Sequence, residues 1–443
     1  MAEAGTEGEE NAEAASMSTR TSSVTLVAAP SFDLLVVGCG GGPAEDNLSA
    51  YLVKPKHQTW KEGCLSVDGG SCLGALTRLL EKKPAAFVDF DLPASNMASP
   101  LANAGYVFGF LHSFLVTHAH WGLSRPLAHL FEGLIACTCA WSCGNPRRSL
   151  DHVAGLVLAS GSASAQKSVY GSKQTLKNLS SAMDGGLWPV LGSFDEANGM
   201  PYVWRTVVPQ ANFRPCKGLS ASFMPLSHGN HPNQTPYESS AYFINSDHDG
   251  KSFLILGDVE ADSVSRVNYT RAVWQETATR ISSGILSTIF IECSYRSSRS
   301  EEQLYGHLSP NYVFEEMRVL AGLLPCREGQ ENMDLRGRLK GLTIGIIHVK
   351  DPISVEELFV PSFNSEPYDP SLPEGSPSRT KRRKANTSAI PPLRASSEMS
   401  HTIPLALPEG MRGIILEELL ALEAKEELGP KFLMLEQGMR IEL

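Results

Sequence analysis

The stretch "FLVTHAHWGLSRPLAH", residues 114–129, decides the reading of this chain. The apolar run Phe114-Leu115-Val116 reads as a strand ending in Thr117, and His118 and His120 follow. Two imidazoles so spaced at a strand end commonly begin a metal site. Here the chain turns into Trp121-Gly122-Leu123 without a further ligand. The continuation lies in "LDHVAGLVLAS", residues 150–160. With residues 121–149 set aside, His118-Ala119-His120 runs into Leu150-Asp151-His152-Val153-Ala154-Gly155, an H-x-H-x-D-H pattern followed by glycine. A strand end with two imidazoles, then a tight turn into a helix start with a carboxylate and a third imidazole, can hold two divalent ions side by side.

Other apolar runs end in residues of the same kind. His228 follows an apolar strand in "MPLSHGN", as a third ligand of the first ion should. Asp258 follows "FLILG" and carries two oxygens able to bridge two ions, and His348 closes the strand "LTIGIIH". His112, His129, His231, His248 and His401 have no such context and read as structural or surface residues.

The split motif is the signature of the metallo-β-lactamase superfamily, and "HAH…LDHVAGL" resembles more narrowly the class II 3′,5′-cyclic-nucleotide phosphodiesterases, of the fungal type. "GCGGGPAEDNLSAYLV", "LSVDGGS", "PLSHG", "LILGDVE", "FIECSY", "YGHLSP" and "IIHVKD" resemble that family's blocks, in its order. The resemblance implies an α/β fold, a metallo-β-lactamase-like αββα sandwich, and two Zn2+ as cofactors. It assigns His118, His120 and His228 to one zinc and Asp151, His152 and His348 to the other, with Asp258 between them. It puts His307 beside the metals, protonating the leaving oxygen or contacting the phosphate, with Glu292 orienting it, and it brings Asn47 and Ser49 near the phosphate. The implied reaction is hydrolysis of 3′,5′-cyclic nucleotides, mainly cAMP and secondarily cGMP, to nucleoside 5′-phosphates in cAMP signalling. Such a metal pair lowers the pKa of a bound water toward ~7.

Along the chain, residues 1–30 are acidic and polar and read as a disordered extension, without the character of a signal peptide. Residues 31–443 read as a single phosphodiesterase domain of strands alternating with helices. Strands are predicted in "FDLLVVGCGGG", "SAYLV", "CLSVDGG", "STIFIECSY" and "LTIGIIHVK", and a helix in "CLGALTRLLEKKP". "AYFINSDHDGKSFLILGDVE" reads as a hairpin turning at Asp249-Gly250. "GCGGGP" lacks G-x-G-x-x-G and reads as a tight turn between strands. "RGIILEELLALEAKEELGPKF" is an amphipathic helix closed by Gly429-Pro430, and "KFLMLEQGMRIEL" a last strand.

Two segments interrupt the domain. Residues 356–405, rich in Pro, Ser and Glu, read as a disordered insertion; the cluster Lys381-Arg382-Arg383-Lys384 within it would serve nuclear import or simply be solvated. Residues 121–149 match nothing in the family and read as a short retained intron translated in frame.

Composition bounds the rest. The 443 residues are 42% hydrophobic with 38 glycines, enough for a substantial core, and no apolar run reaches the roughly 18 residues of a membrane span. A net charge of −10 speaks against a DNA partner. Nine scattered cysteines without a disulfide pattern suggest a reduced, cytoplasmic protein, with the Lys381–Lys384 cluster leaving the nucleus open. A homodimer is left open too. The competing readings are an RNA-processing nuclease of the same superfamily and a form inactivated by residues 121–149.

Overall fold

The computed structural model describes residues 29–42, 45–70, 72–93, 99–119, 166–186, 189–231, 233, 235–326, 334–351 and 410–443. Residues 1–28, the whole interruption at 121–149 with its flanks, and the 356–405 insertion with Lys381–Lys384 lie outside them.

Strands β1 (Phe32–Gly38), β2 (Ala50–Pro55), β3 (Cys64–Val67), β4 (Leu111–Leu115), β5 (Lys167–Gly171), β6 (Gly192–Ser193) and β7 (Tyr202–Thr206) form one sheet together with β15 (Arg440–Glu442). Its eight strands run in the order β15-β1-β2-β3-β4-β5-β7-β6. The second sheet has seven strands: β8 (Asn212–Cys216), β9 (Leu219–Asn230), β10 (Pro236–Ser246), β11 (Ser252–Leu256), β12 (Leu286–Glu292), β13 (Thr343–Ile347) and β14 (Lys431–Met434), each beside its neighbour in sequence. Helices α1 (Cys72–Lys82), α2 (Pro100–Gly109) and α3 (Lys173–Ala182) accompany the first sheet. The short α4 (Asp262–Ser265), α5 (Tyr269–Ser282), α6 (Pro310–Leu323) and α7 (Met411–Glu426) accompany the second.

Strand periodicity explains the layering. Successive side chains alternate faces, so a strand buried on both sides feeds two cores. In β1, Leu34 and Val36 join Phe223, Tyr242, Ile255 and Phe290 of the second sheet in the core between the sheets. Leu35 and Val37 point the other way, into a core shared with Leu76 and Leu79 of α1 and Val107 of α2. In the second sheet Phe243, Leu254, Ile289 and Ile344 pack outward against Val273 and Trp274 of α5, Phe314 and Met317 of α6, and Ile415 of α7. The result is helices, sheet, sheet, helices: the expected αββα sandwich.

The predicted hairpin is present, β10 pairing antiparallel with β11. Strands β1 and β2 are also antiparallel, but β1 ends at Gly38 and β2 begins at Ala50, with a 3-10 turn at Glu45–Asn47 between them, a longer connection than the tight turn expected of "GCGGGP". Two expectations at the C-terminus need correction. Helix α7 stops at Glu426, where Glu427 adopts φ +53 and donates its N–H to Glu423, before Gly429-Pro430 is reached. The last segment is two strands rather than one. Strand β14 lies parallel to β13, while β15 lies antiparallel to β1 in the other sheet. The crossover is made at Gly438, at φ +83, with Gln437 donating to the carbonyls of Val37 and Asp46. No helix among the described residues is long and apolar enough to cross a membrane.

Candidate metal centre

The candidate residues gather at one end of the sandwich because strands of both sheets finish there. Asp68 follows β3, His118 follows β4, Asp258 follows β11, Glu292 ends β12 and His348 follows β13, while His228 lies near the end of β9. Parallel pairing of β11, β12 and β13 brings their carboxyl ends to a common edge, the usual place for a ligand in such sheets.

Asp258 is the focus. Its Oδ2 lies 3.4 Å from His118 Nε2, 3.7 Å from His228 Nε2 and 3.0 Å from His348 Nε2. His118, His228 and Asp258 are close enough together to share one ion, as are Asp258, His307 and His348. His120, Asp151 and His152 lie outside the described residues. Burial works against charge on His118, yet the Asp258 carboxylate holds its imidazole above the ordinary value.

Each imidazole that faces Asp258 has a partner at its other nitrogen. His228 Nδ1 lies 2.7 Å from the Gly306 carbonyl, His348 Nδ1 3.1 Å from Ser49 Oγ, and His118 Nδ1 2.8 Å from Thr117 Oγ1. Pairing at Nδ1 fixes the ring and leaves Nε2 as the donor atom, which is how metal-binding histidines are usually supported. Three supported imidazoles converging on one carboxylate fit a divalent cation.

His307 stands beside this cluster. Its Nδ1 lies 3.0 Å from each oxygen of the Glu292 carboxyl, and Ser294 Oγ donates to Glu292 at 2.6 Å. Burial pushes the Glu292 carboxyl up to about 8, with the Asp258 charge adding to it; burial and then the Lys350 ammonium pull the His307 imidazole well below its usual value. Burial thus favours the neutral form of each group, a carboxyl and an imidazole sharing one proton between Glu292 and His307 Nδ1.

Asn47 and Ser49, which the resemblance brings near the phosphate, lie on the loop between β1 and β2. Asn47 Oδ1 accepts the Cys39 N–H at 3.1 Å, and Ser49 stands behind His348. A residue that sequence reasoning gave no role is Asp68, in "LSVDGGS". It accepts from the Thr117 N–H at 2.9 Å and from the Thr117 hydroxyl, which in turn meets His118. The signal was a lone acid directly after an apolar strand, the same context that marked Asp258.

Fold and site together are those of a metallo-β-lactamase-fold protein. The profile of the class-II cAMP phosphodiesterases matches residues 147–369. The chain is 28% identical over 331 residues to a 3′,5′-cyclic-nucleotide phosphodiesterase of Aliivibrio fischeri, covering 72% of this chain and 82% of that protein. A 3′,5′-cyclic-nucleotide phosphodiesterase of Schizosaccharomyces pombe is 26% identical over 313 residues, covering 69% and 80%. The crystal structure of unliganded yeast PDE1 superposes with a TM-score of 0.63 at 19% identity, over 94% of this chain and all of that one, a likeness of fold. The chain belongs to the class-II cAMP phosphodiesterases, and is by class a phosphodiesterase, as its motifs imply.

Proposed function

We propose that the chain hydrolyses 3′,5′-cyclic nucleotides, cAMP foremost, to nucleoside 5′-phosphates in cAMP signalling, using two zinc ions. The observation that carries this reading is the convergence of the His118, His228 and His348 Nε2 atoms on Asp258. In this reading His118, His120 and His228 hold one zinc, Asp151, His152 and His348 the other, and Asp258 sits between them. The metals supply Lewis acidity toward the phosphate and a nucleophilic hydroxide at neutral pH. The chain's own part is positioning and proton handling. Ser49, Thr117 and the Gly306 carbonyl orient the imidazoles. His307, its Nδ1 held by Glu292, places Nε2 to give a proton to the departing 3′ oxygen. In this reading residues 31–443 act as one domain, and residues 121–149 are an interruption within it.

The test is turnover of cAMP and cGMP by the purified chain, before and after chelation, with metal analysis alongside. Chelator-sensitive hydrolysis of cAMP with about two zinc ions per chain is expected. Absence of zinc, or hydrolysis indifferent to chelation, would overturn the reading.

A further inference from the structure

A polar cavity of about 310 Å3 lies outside the metal cluster, lined by Arg78, Lys82, Lys83 and Arg412 against the carboxylates of Asp46 and Glu436. Four cations facing two carboxylates stand out in a chain whose net charge is −10. Part of this positive charge is not consumed locally. Lys83 donates to the Gln437 carbonyl at 2.7 Å and the Arg412 Nη1 meets Asp351 at 3.3 Å. Arg78 reaches Asp46 only at 3.9 Å.

None of the described metal-centre residues lines this cavity. The glycine loop after β1 lies between the two. A Cβ on Gly40 would point to Asn47 and Arg412, on the cavity side, whereas one on Gly41 would meet His348 and Lys350, on the metal side. The two sites therefore share a wall and nothing else. Among the described residues the lining has no aromatic ring on which a base could stack, and guanidinium groups match phosphate oxygens in geometry as well as charge.

We propose that the cavity enclosed by Arg78, Lys82 and Arg412 is a second binding site on this protein, for a phosphate group, separate from the metal cluster. The group is supplied either by free inorganic phosphate or by a phosphomonoester.

The experiment is calorimetric titration of the full chain with inorganic phosphate and, in a second arm, with glycerol 3-phosphate. It is run on the wild type, on the double charge reversal Arg78→Glu/Lys82→Glu, and on His228→Ala. Saturable binding that survives in His228→Ala and weakens about tenfold or more in the double variant, a loss of at least ~1.4 kcal/mol, supports the site. The arm that binds more tightly identifies the source of the phosphate. Cyclic-nucleotide turnover by the double variant, measured without added phosphate, should match the wild type and show that it is folded. Binding lost in His228→Ala and retained in the double variant would put the anion at the metal centre and overturn the proposal, as would no binding in either arm.

Discussion

The imidazole of His348 lies 3.0 Å from Asp258 although the His348 backbone sits at φ +58. That left-handed conformation costs a side-chain-bearing residue on the order of 1–3 kcal/mol, and the surroundings hold it there. The His348 N–H donates to the Cys39 carbonyl at 2.8 Å, Ser294 Oγ lies 2.9 Å from the His348 carbonyl oxygen, and Ser49 holds the ring. Gly41 leaves the space this needs: a Cβ there would stand 2.7 Å from the His348 carbonyl oxygen and 2.8 Å from its ring. Gly41→Ala should therefore displace His348. Metal affinity and turnover are expected to fall about 10- to 100-fold with far-UV circular dichroism unchanged. Wild-type metal content in this variant would remove His348 from the ligand set.

Thr117 links Asp68 to His118 through its hydroxyl. Thr117→Val keeps the shape and removes that link, so metal affinity should drop on the order of tenfold or more. The measurement is a competition titration with a chelator. A variant that melts earlier but binds metal as before would show that the Asp68–Thr117 pair serves folding alone.

His307 and Glu292 are argued to handle a proton rather than hold a metal. His307→Ala should lower kcat by about 10²–10⁴ while metal content stays at the wild-type level. Glu292→Gln should give a smaller loss and a displaced pH profile. Loss of metal in His307→Ala would move this residue into the coordination sphere.

The fold was legible because its strands are apolar on both faces and its motifs stand directly after them. "LILGDVE" and "IIHVKD" put Asp258 and His348 at strand ends, and parallel pairing carries those ends to one edge. What stayed hidden depends on three-dimensional neighbours with no spacing in sequence. Asp68 reaches Thr117 across 49 residues and through it His118, and Ser49 supports His348 across 299. The division of "KFLMLEQGMRIEL" between sheets turns on one glycine, whose bend a continuous apolar pattern conceals. The bond from the Cys39 N–H to Asn47 Oδ1, within the loop between β1 and β2, likewise had no signal in the sequence.

Away from the centre, Glu316 on α6 accepts from the Trp274 indole at 2.6 Å and from the Asp262 N–H at 3.0 Å. Burial pushes its carboxyl up from 4.5 to about 7. A carboxyl whose pKa is higher folded than unfolded favours the folded state in its protonated form. Its contribution is whole below about pH 4.5, declines as pH rises to about 7, and is level beyond. Glu316→Gln should flatten that slope and lower stability at every pH, since one amide oxygen cannot receive both donors. Urea unfolding at pH 5, 6 and 7 measures both effects; parallel pH curves for wild type and variant would refute the assignment.

Residues 121–149 separate His120 from Asp151, two residues that the H-x-H-x-D-H pattern sets one residue apart. Closing a loop of that length costs only about 3 kcal/mol by chain entropy, which a large hydrophobic core can offset. Geometry is the stricter demand. Catalytic groups need placement within about 0.5 Å, and a 1 Å error can cost on the order of 10²-fold in rate. Deleting residues 121–149 restores the contiguous motif and should raise both zinc content and turnover above those of the full chain. Equal values for the two proteins would show that the interruption is a tolerated loop. Message spliced to remove codons 121–149 would identify it as an intron, and message retaining them would exclude that origin.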